Sequence, residues 1–251
     1  MNDSPSRKSA AILAIGDELL SGRTQDANVQ YLAKWLTERG VALSEARIVG
    51  DHVETIAEAL NALREKYDYV FTSGGIGPTH DDITADSVAY AFDVPVIEHP
   101  GAVALIGAWY ETKGLEMTPA RRRMARAPQG AQLINNSVSG APGVRMENVF
   151  ILAGVPKIFQ GMLKAVDPLI ERGSVLHSRS VTVAGIHESI LAEPLTDIQA
   201  RFPEIAFGSY PISDEFRGVS VVARSEDPAL AETGIEAVSN ALRELGFETL
   251  K

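Results

Sequence analysis

Short apolar runs alternate with helical periodicities along the first two-thirds of the chain. Residues 10–15 are continuously apolar and close at Gly16, the pattern of a buried strand. Residues 28–39 carry Val29, Leu32, Ala33 and Leu36 at helical spacing, with Gly40 at the C-terminal end. A strand over 42–49, a helix over 53–65 through Ile56, Leu60 and Leu63, and a strand over 69–72 follow. The third strand runs into a glycine-rich loop, and a helix is expected over 81–92. Helices over 102–113, 119–126 and 157–170 and strands over 132–134 and 148–152 complete this region. Strands and helices joined by short links predict a mostly parallel sheet with helices on both faces.

The pattern changes after Arg172. A strand over 179–184, a helix over 190–202, strands over 205–210 and 218–223 and a helix over 228–245, ended by Gly246, give a βαββα order. That order predicts a small α+β domain. The expected organisation is a frayed, disordered tail over 1–9, an α/β domain over 10–172 and a small domain over 173–251, with the boundary near Gly173.

Composition narrows the function classes. The chain has 251 residues, 45% of them hydrophobic, enough for a core without staples. It has no cysteine, which excludes disulfides, thiolate metal sites and cysteine nucleophiles. A formal net charge of -10 disfavours nucleic acid and anionic membranes as partners. The first nine residues lack an apolar signal region, and no apolar run reaches the roughly 18 residues of a membrane helix. A cytoplasmic location is expected.

The most informative stretch is Ser73-Gly74-Gly75-Ile76-Gly77-Pro78-Thr79-His80-Asp81-Asp82, between a strand and a helix. Glycines let the backbone turn and approach a ligand closely, and a helix N-terminus favours phosphate. Ligands of open α/β sheets bind at the carboxyl ends of strands, where this loop lies. Asp81 and Asp82 either cap the helix or hold a divalent cation that bridges them to substrate phosphate. Gly16-Asp17-Glu18-Leu19-Leu20-Ser21-Gly22 also follows a strand and brings Glu18 to the same sheet edge, with Asp26 and Asn28 opening the next helix. Asp51 ends the second strand at a similar level. A third loop, Asn135 to Gly143, offers Asn136, Ser137, Ser139 and Gly140-Ala141-Pro142-Gly143 for phosphate or pterin recognition, or is a plain connection. Gly154-Val155-Pro156 follows another strand.

Arg121-Arg122-Arg123 with Arg126 is the only dense basic cluster. It reads as a solvated helix face, or as a contact with an anionic substrate or a second subunit. The five histidines show no zinc spacing; His80 abuts the acidic pair as a loop residue or a proton-transfer group. The P-loop lysine, nucleophile-elbow and dinucleotide signatures are absent.

Taken in order, these stretches resemble a known family. Ile15 to Gly22 with Asn28, Gly74 to Thr84, Asn136 to Gly143 and Gly154-Val155-Pro156 are similar to four motifs of the competence/damage-inducible protein CinA family. That family lies within the wider MoaB/Mog-type molybdopterin-binding domains, which are also similar to a domain of some eukaryotic FAD synthases. Gly208-Ser209-Tyr210-Pro211 followed by residues 218–224 resembles the CinA middle region. Two positions depart from the pattern: Ala153 stands where proline is usual, and Val138-Ser139 where a Val-Gly-Thr-like step is usual.

The resemblance implies a three-layer α/β sandwich with a mostly parallel sheet, plus the small α+β domain. It implies a metal-dependent pyrophosphatase acting on ADP-ribose-like or FAD-like dinucleotides. Asp82, Asp81 and Glu18 would hold Mg²⁺, Mn²⁺ or Co²⁺, with Asp82 and Asp81 catalytic. Gly74, Gly75, Gly77 and Thr79 would cradle the pyrophosphate, and Asn28, Ser137, Gly140, Ala141, Pro142 and Gly143 would position the rest. The alternatives are a molybdopterin-binding protein of cofactor synthesis, with molybdopterin as ligand, and a non-catalytic regulatory module. A homo-oligomer is implied. The nicotinamide-nucleotide amidase domain of many CinA proteins is not expected here.

Overall fold

The first strand owes its central position to its unbroken apolar run. In the structure, a computed structural model describing residues 8–212 and 218–250, β1 (Ser9–Ile15) is buried from Ala10 to Ile15. The chain then forms α1 (Asp17–Leu20), α2 (Asn28–Thr37), β2 (Ala42–Val49), α3 (Val53–Arg64), β3 (Tyr69–Ser73) and α4 (Thr84–Ala91). β4 (Val96–Glu98), α5 (Pro100–Glu111), α6 (Pro119–Arg123), β5 (Arg126–Pro128) and β6 (Gln132–Ile134) follow. β7 (Gly143–Met146), β8 (Val149–Leu152) and α7 (Pro156–Val166) end the first of two compact units, Met1–Gly173 and Ser174–Lys251.

The central sheet of the first unit has the order β2-β1-β3-β8-β7-β6. β1, β2, β3 and β8 are parallel, and β7 and β6 add an antiparallel edge. On one face, Leu32, Trp35 and Leu36 of α2 and Phe159, Met162 and Leu163 of α7 pack on Phe71 and Phe150. The last two rings stack at 5.1 Å. On the other face, Ile56, Leu60 and Leu63 of α3 and Val88 of α4 cover Leu13, Val70 and Ile151. Each such buried side chain contributes about 1.5–3 kcal/mol of transfer free energy. The result is the three-layer α/β sandwich. Beside it, α5, α6 and the β4–β5 ribbon enclose a smaller core built on Ala102, Ile106 and Ala125.

Several boundaries differ from the expected ones. α4 starts at Thr84 rather than at residue 81, because the Thr84 N–H donates to the Gly75 carbonyl and its hydroxyl to the Gly74 carbonyl. Those bonds pin the helix start against the glycine loop. α6 stops at Arg123, and Arg126 belongs to β5, paired with Glu98. β7 was not anticipated; it forms a hairpin with β8 through Glu147, at φ 50°. α7 gives way to a short 3₁₀ turn, Asp167–Leu169, at Pro168. The tail expected over 1–9 lies outside the described residues for 1–7. Lys8 and Ser9 do not fray: Lys8 pairs with Asp68 and Ser9 opens β1.

The second unit consists of β9 (His177–Ala184), α8 (Glu188–Arg201), β10 (Ala206–Ile212), β11 (Gly218–Ser225), α9 (Pro228–Glu244) and β12 (Thr249–Leu250). Its antiparallel sheet has the order β10-β11-β9-β12. Val183, Val221, Leu191, Ile198, Val238 and Leu242 form its core. α9 starts sharply because the Asp227 carboxylate accepts from the Ala229 N–H at 2.8 Å and Pro228 needs no partner. Among the described residues, no helix is long and apolar enough to cross a membrane.

Candidate functional site

The carboxyl ends of β1, β3 and β8 lie side by side in the parallel part of the sheet. Asn28, the first residue of α2, ties two of them together. It is 2% exposed, and its Nδ2 donates to Ser73 Oγ and to the Gly154 carbonyl, each at 2.7 Å. Asn28 therefore stands behind the loops and braces them. Its buried Oδ1 has no hydrogen-bond partner among the described residues.

The loop after β3 is shaped by its glycines and by one carboxylate. Gly75 sits at φ +66°, and a Cβ there would collide with Thr84 Oγ1. A Cβ on Gly77 would lie 2.6 Å from Asp82 Oδ2, so only glycine leaves room for that carboxylate. Asp82 Oδ2 accepts from the Thr79 N–H at 2.8 Å and from its hydroxyl at 2.6 Å. Asp82 thus closes a turn ahead of the helix instead of capping the helix itself.

Arg123 grips the same turn from α6. Its Nε donates to the Thr79 carbonyl at 2.8 Å, and its Nη2 to the carbonyls of Asp82 at 3.3 Å and His80 at 3.4 Å. The other arginines of the cluster are also engaged. Arg122 pairs with Glu98, Arg126 with Asp86, and Arg121 donates to the Glu116 carbonyl. All four arginines thus make contacts within the chain, and Arg122 stays largely exposed, as a solvated face would have it.

Acidic groups gather beside this loop. The Asp17 N–H donates to Asp51 Oδ2 at 2.9 Å, joining α1 to the end of β2. Burial pushes the Asp51 carboxyl above its ordinary value, and the charges of Asp17, Glu18 and Asp81 push it the same way. The Asp81 side chain is exposed beside this turn. His80 has a fully exposed side chain. Among the described residues, no group of three or more His, Asp or Glu side chains is arranged to hold a metal ion. Asp82, Asp81 and Glu18 do not form a closed cage.

A cleft of about 610 Å³ opens over these loops. Glu18, Thr24, Gly74, Gly75, Gly77 and Asp82 supply its polar wall. Tyr110, Met124, Ala141, Val155, Ile158 and Met162 supply an apolar one. A narrower recess shares Gly75, Gly77 and Asp82 and adds Arg123, Pro142 and Gly143.

The third loop is organised by Asn136, which is 4% exposed. Its Nδ2 donates to Ser139 Oγ at 2.7 Å and to the Ala141 carbonyl at 2.8 Å, and its Oδ1 accepts from the Val138 N–H. Ser139 and Ala141 consequently reach the cleft wall, whereas Ser137 is exposed away from it. Gly140 is packed against the Trp109 ring, and a side chain there would collide with it. Of the expected site residues, Glu18, Gly74, Gly75, Gly77, Asp82 and Ala141 line the main cleft. Pro142 and Gly143 line only the recess. Asn28 is buried beneath the loops, and the exposed Thr79, with Asp81, Ser137 and Gly140, lies off both walls. Tyr110, Met124 and Met162 belong to no loop motif and were not anticipated; only the fold brings them to the loops.

Comparison with known proteins agrees with this architecture. Residues 11–172 match the family described as "Probable molybdopterin binding domain", and residues 175–249 match "FAD synthase, middle domain". A protein of Aeropyrum pernix is 35% identical over 94% of both chains. A probable FAD synthase of Caenorhabditis elegans is 36% identical over 96% of this chain and 50% of its own length. A CinA-like protein of Nostoc sp. is 32% identical over 94% of this chain and 58% of its own. The chain thus spans 50% and 58% of those two longer relatives. The crystal structure of CinA from Thermoplasma acidophilum superimposes with a TM-score of 0.60 at 34% identity, covering 65% of this chain and 99% of that one. The chain belongs to the MoaB/Mog-type molybdopterin-binding domain family, among its CinA-like members.

Proposed function

We propose that the cleft of the first unit binds and hydrolyses a nucleotide pyrophosphate of the ADP-ribose or FAD type, with a divalent cation. The observation that carries this reading is that Glu18 and Asp82 line the same cleft as the Gly75–Gly77 backbone. Carboxylates beside a phosphate-sized glycine loop repel the phosphate unless a cation lies between them. Two carboxylates on an open wall suit a hydrated cation that takes its remaining oxygens from water and substrate. Held by Glu18 and Asp82, with Asp81 adding charge nearby, such a cation would polarise the phosphoryl group and acidify a water.

The chain's own residues do the positioning. Gly75 and Gly77 let phosphate oxygens approach the backbone. Thr79 and Arg123 hold the turn that presents Asp82. Asn28 keeps the loops after β3 and β8 in register. In the reaction, a water oxygen bonds to one phosphorus as the bridging P–O bond breaks. The water's protons pass to solvent, and two monophosphates leave.

The test is AMP release from ADP-ribose and from FAD with Mg²⁺, Mn²⁺ or Co²⁺, and with a chelator. Release that needs metal, and that falls at least about 100-fold in Asp82→Asn, is expected. No release with any metal, or an Asp82→Asn variant as fast as the parent, rejects the reading. The match of residues 11–172 to a molybdopterin-binding family favours a second reading, pterin binding in the same cleft. Pterin fluorescence titration tests it directly, and the absence of saturable binding removes it.

A further inference from the structure

Among the described residues lining the main cleft, Tyr110 is the sole aromatic. Nothing in the hydrolysis outlined above uses it. Its ring is not a loose surface group. Its helix, α5, packs through Ala102 and Ile106 into the small core that also takes up Met124. Arg121 lays its guanidinium 4.2 Å from the Tyr110 ring centroid and is itself anchored on the Glu116 carbonyl. A cation held over an aromatic ring is favourable and limits the ring's orientations. The thioethers of Met124 and Met162 share the same wall. Soft sulfur and aromatic surfaces favour flat, polarisable partners over flexible aliphatic ones.

The cleft therefore carries two chemistries. Its acids and glycine backbone suit a phosphate with its cation; its tyrosine and methionines suit a planar, uncharged group. A ligand matched to both has a heterocycle joined to phosphate. We infer that Tyr110, backed by Arg121, is the stacking platform for the heterocycle of the nucleotide, and that it makes the cleft prefer a base-bearing phosphate over a base-free one. This rests on the nucleotide reading of the site. Tyr110 acts here as a specificity-determining residue and takes no part in proton transfer.

The two halves of ADP-ribose provide matched probes, because AMP and ribose 5-phosphate both carry a ribose phosphate and only AMP carries a base. Calorimetric titration of the full chain with each, in Mg²⁺, compares wild type with Tyr110→Phe, Tyr110→Leu and Tyr110→Ala. Wild type and Tyr110→Phe are expected to bind AMP alike and more tightly than ribose 5-phosphate. Loss of the ring in Tyr110→Leu and Tyr110→Ala should weaken AMP on the order of tenfold, the usual effect of removing a base-stacking side chain, and leave ribose 5-phosphate unchanged. Tyr110→Leu keeps most of the packing volume, so a misfolded alanine variant does not decide the outcome. Equal weakening of both ligands, or no change in AMP binding, overturns the platform while leaving the nucleotide site intact. Failure of wild type to bind either ligand overturns the nucleotide reading and the platform with it.

Discussion

Arg123 holds the Thr79 carbonyl oxygen from 2.8 Å away, across 44 residues of sequence. Through that bond and its contacts with the His80 and Asp82 carbonyls, α6 fixes the turn that presents the Asp82 carboxylate. Its three hydrogen bonds all go to main-chain carbonyls, so its work is geometric: a planar fork spans several acceptors at once, which an ammonium cannot do.

Removing that fork should loosen the turn without removing any proposed catalytic group. Arg123→Ala is expected to raise amide hydrogen exchange over residues 79–82 and to slow AMP release from ADP-ribose by about tenfold or more, as misplacement of a catalytic group does. Arg123→Lys should recover little. Unchanged exchange and turnover in Arg123→Ala would show that the turn holds itself through Asp82 and Thr79 alone.

Asn28 is expected to matter for stability before it matters for chemistry. Asn28→Ala strips the donor from the buried Ser73 hydroxyl and from the Gly154 carbonyl, at a cost of about 1–3 kcal/mol. Asn28→Asp fills the same space but cannot donate to the Gly154 carbonyl, and should be at least as damaging. Urea unfolding of the three proteins reads this; equal midpoints would mean that the bonds to Ser73 and Gly154 are replaced by water.

Two glycines with similar backbone angles should respond differently to alanine. Gly22, at φ +73°, has nothing among the described residues within 4 Å of a new Cβ, so Gly22→Ala meets only the backbone penalty of about 1–2 kcal/mol. Gly75, at φ +66°, would drive the Cβ into Thr84 Oγ1. Gly75→Ala should lose about 1–3 kcal/mol more, from overpacking. Similar thermal shifts in the two variants would show that Thr84 moves aside at no cost.

Asp51 links the acidic cluster to pH. Its folded-state carboxyl titrates above the ordinary value of 3.8, because burial first, and neighbouring carboxylates second, disfavour its charge. The group therefore favours the fold fully below the unfolded value, and that contribution is lost as pH rises through the raised folded value. At about pH 7 its charge is a net burden. Asp51→Asn keeps an oxygen for the Asp17 N–H and should melt higher than wild type near pH 7, with the advantage gone by about pH 3. A thermal difference that does not depend on pH would assign the effect to packing instead.

What the chain determined by itself is what local periodicity and turn chemistry can encode. The apolar run of β1, the helical spacing of Leu32 and Leu36, the glycines at 74, 75 and 77 and the first five elements of the second unit were legible because each depends on neighbours a few residues away, whereas the short closing strand β12 shows itself only by pairing with β9. Glu18 and Asp82 could be assigned to one sheet edge because parallel strands deliver their following loops to the same side. Tertiary structure decided the rest. Asp82 turned from a helix cap into a turn closure once Thr84 was pinned to Gly74 and Gly75. The arginine run became clamps on partners up to 44 residues away, and Asn136 chose Ser139 over Ser137 for the cleft wall. Tyr110 reached the cleft only because α5 folds over a separate small core. No window of sequence reports such neighbours, since which side chains meet across a cleft depends on how whole elements pack, and that packing is settled by the summed burial of residues far apart in the chain.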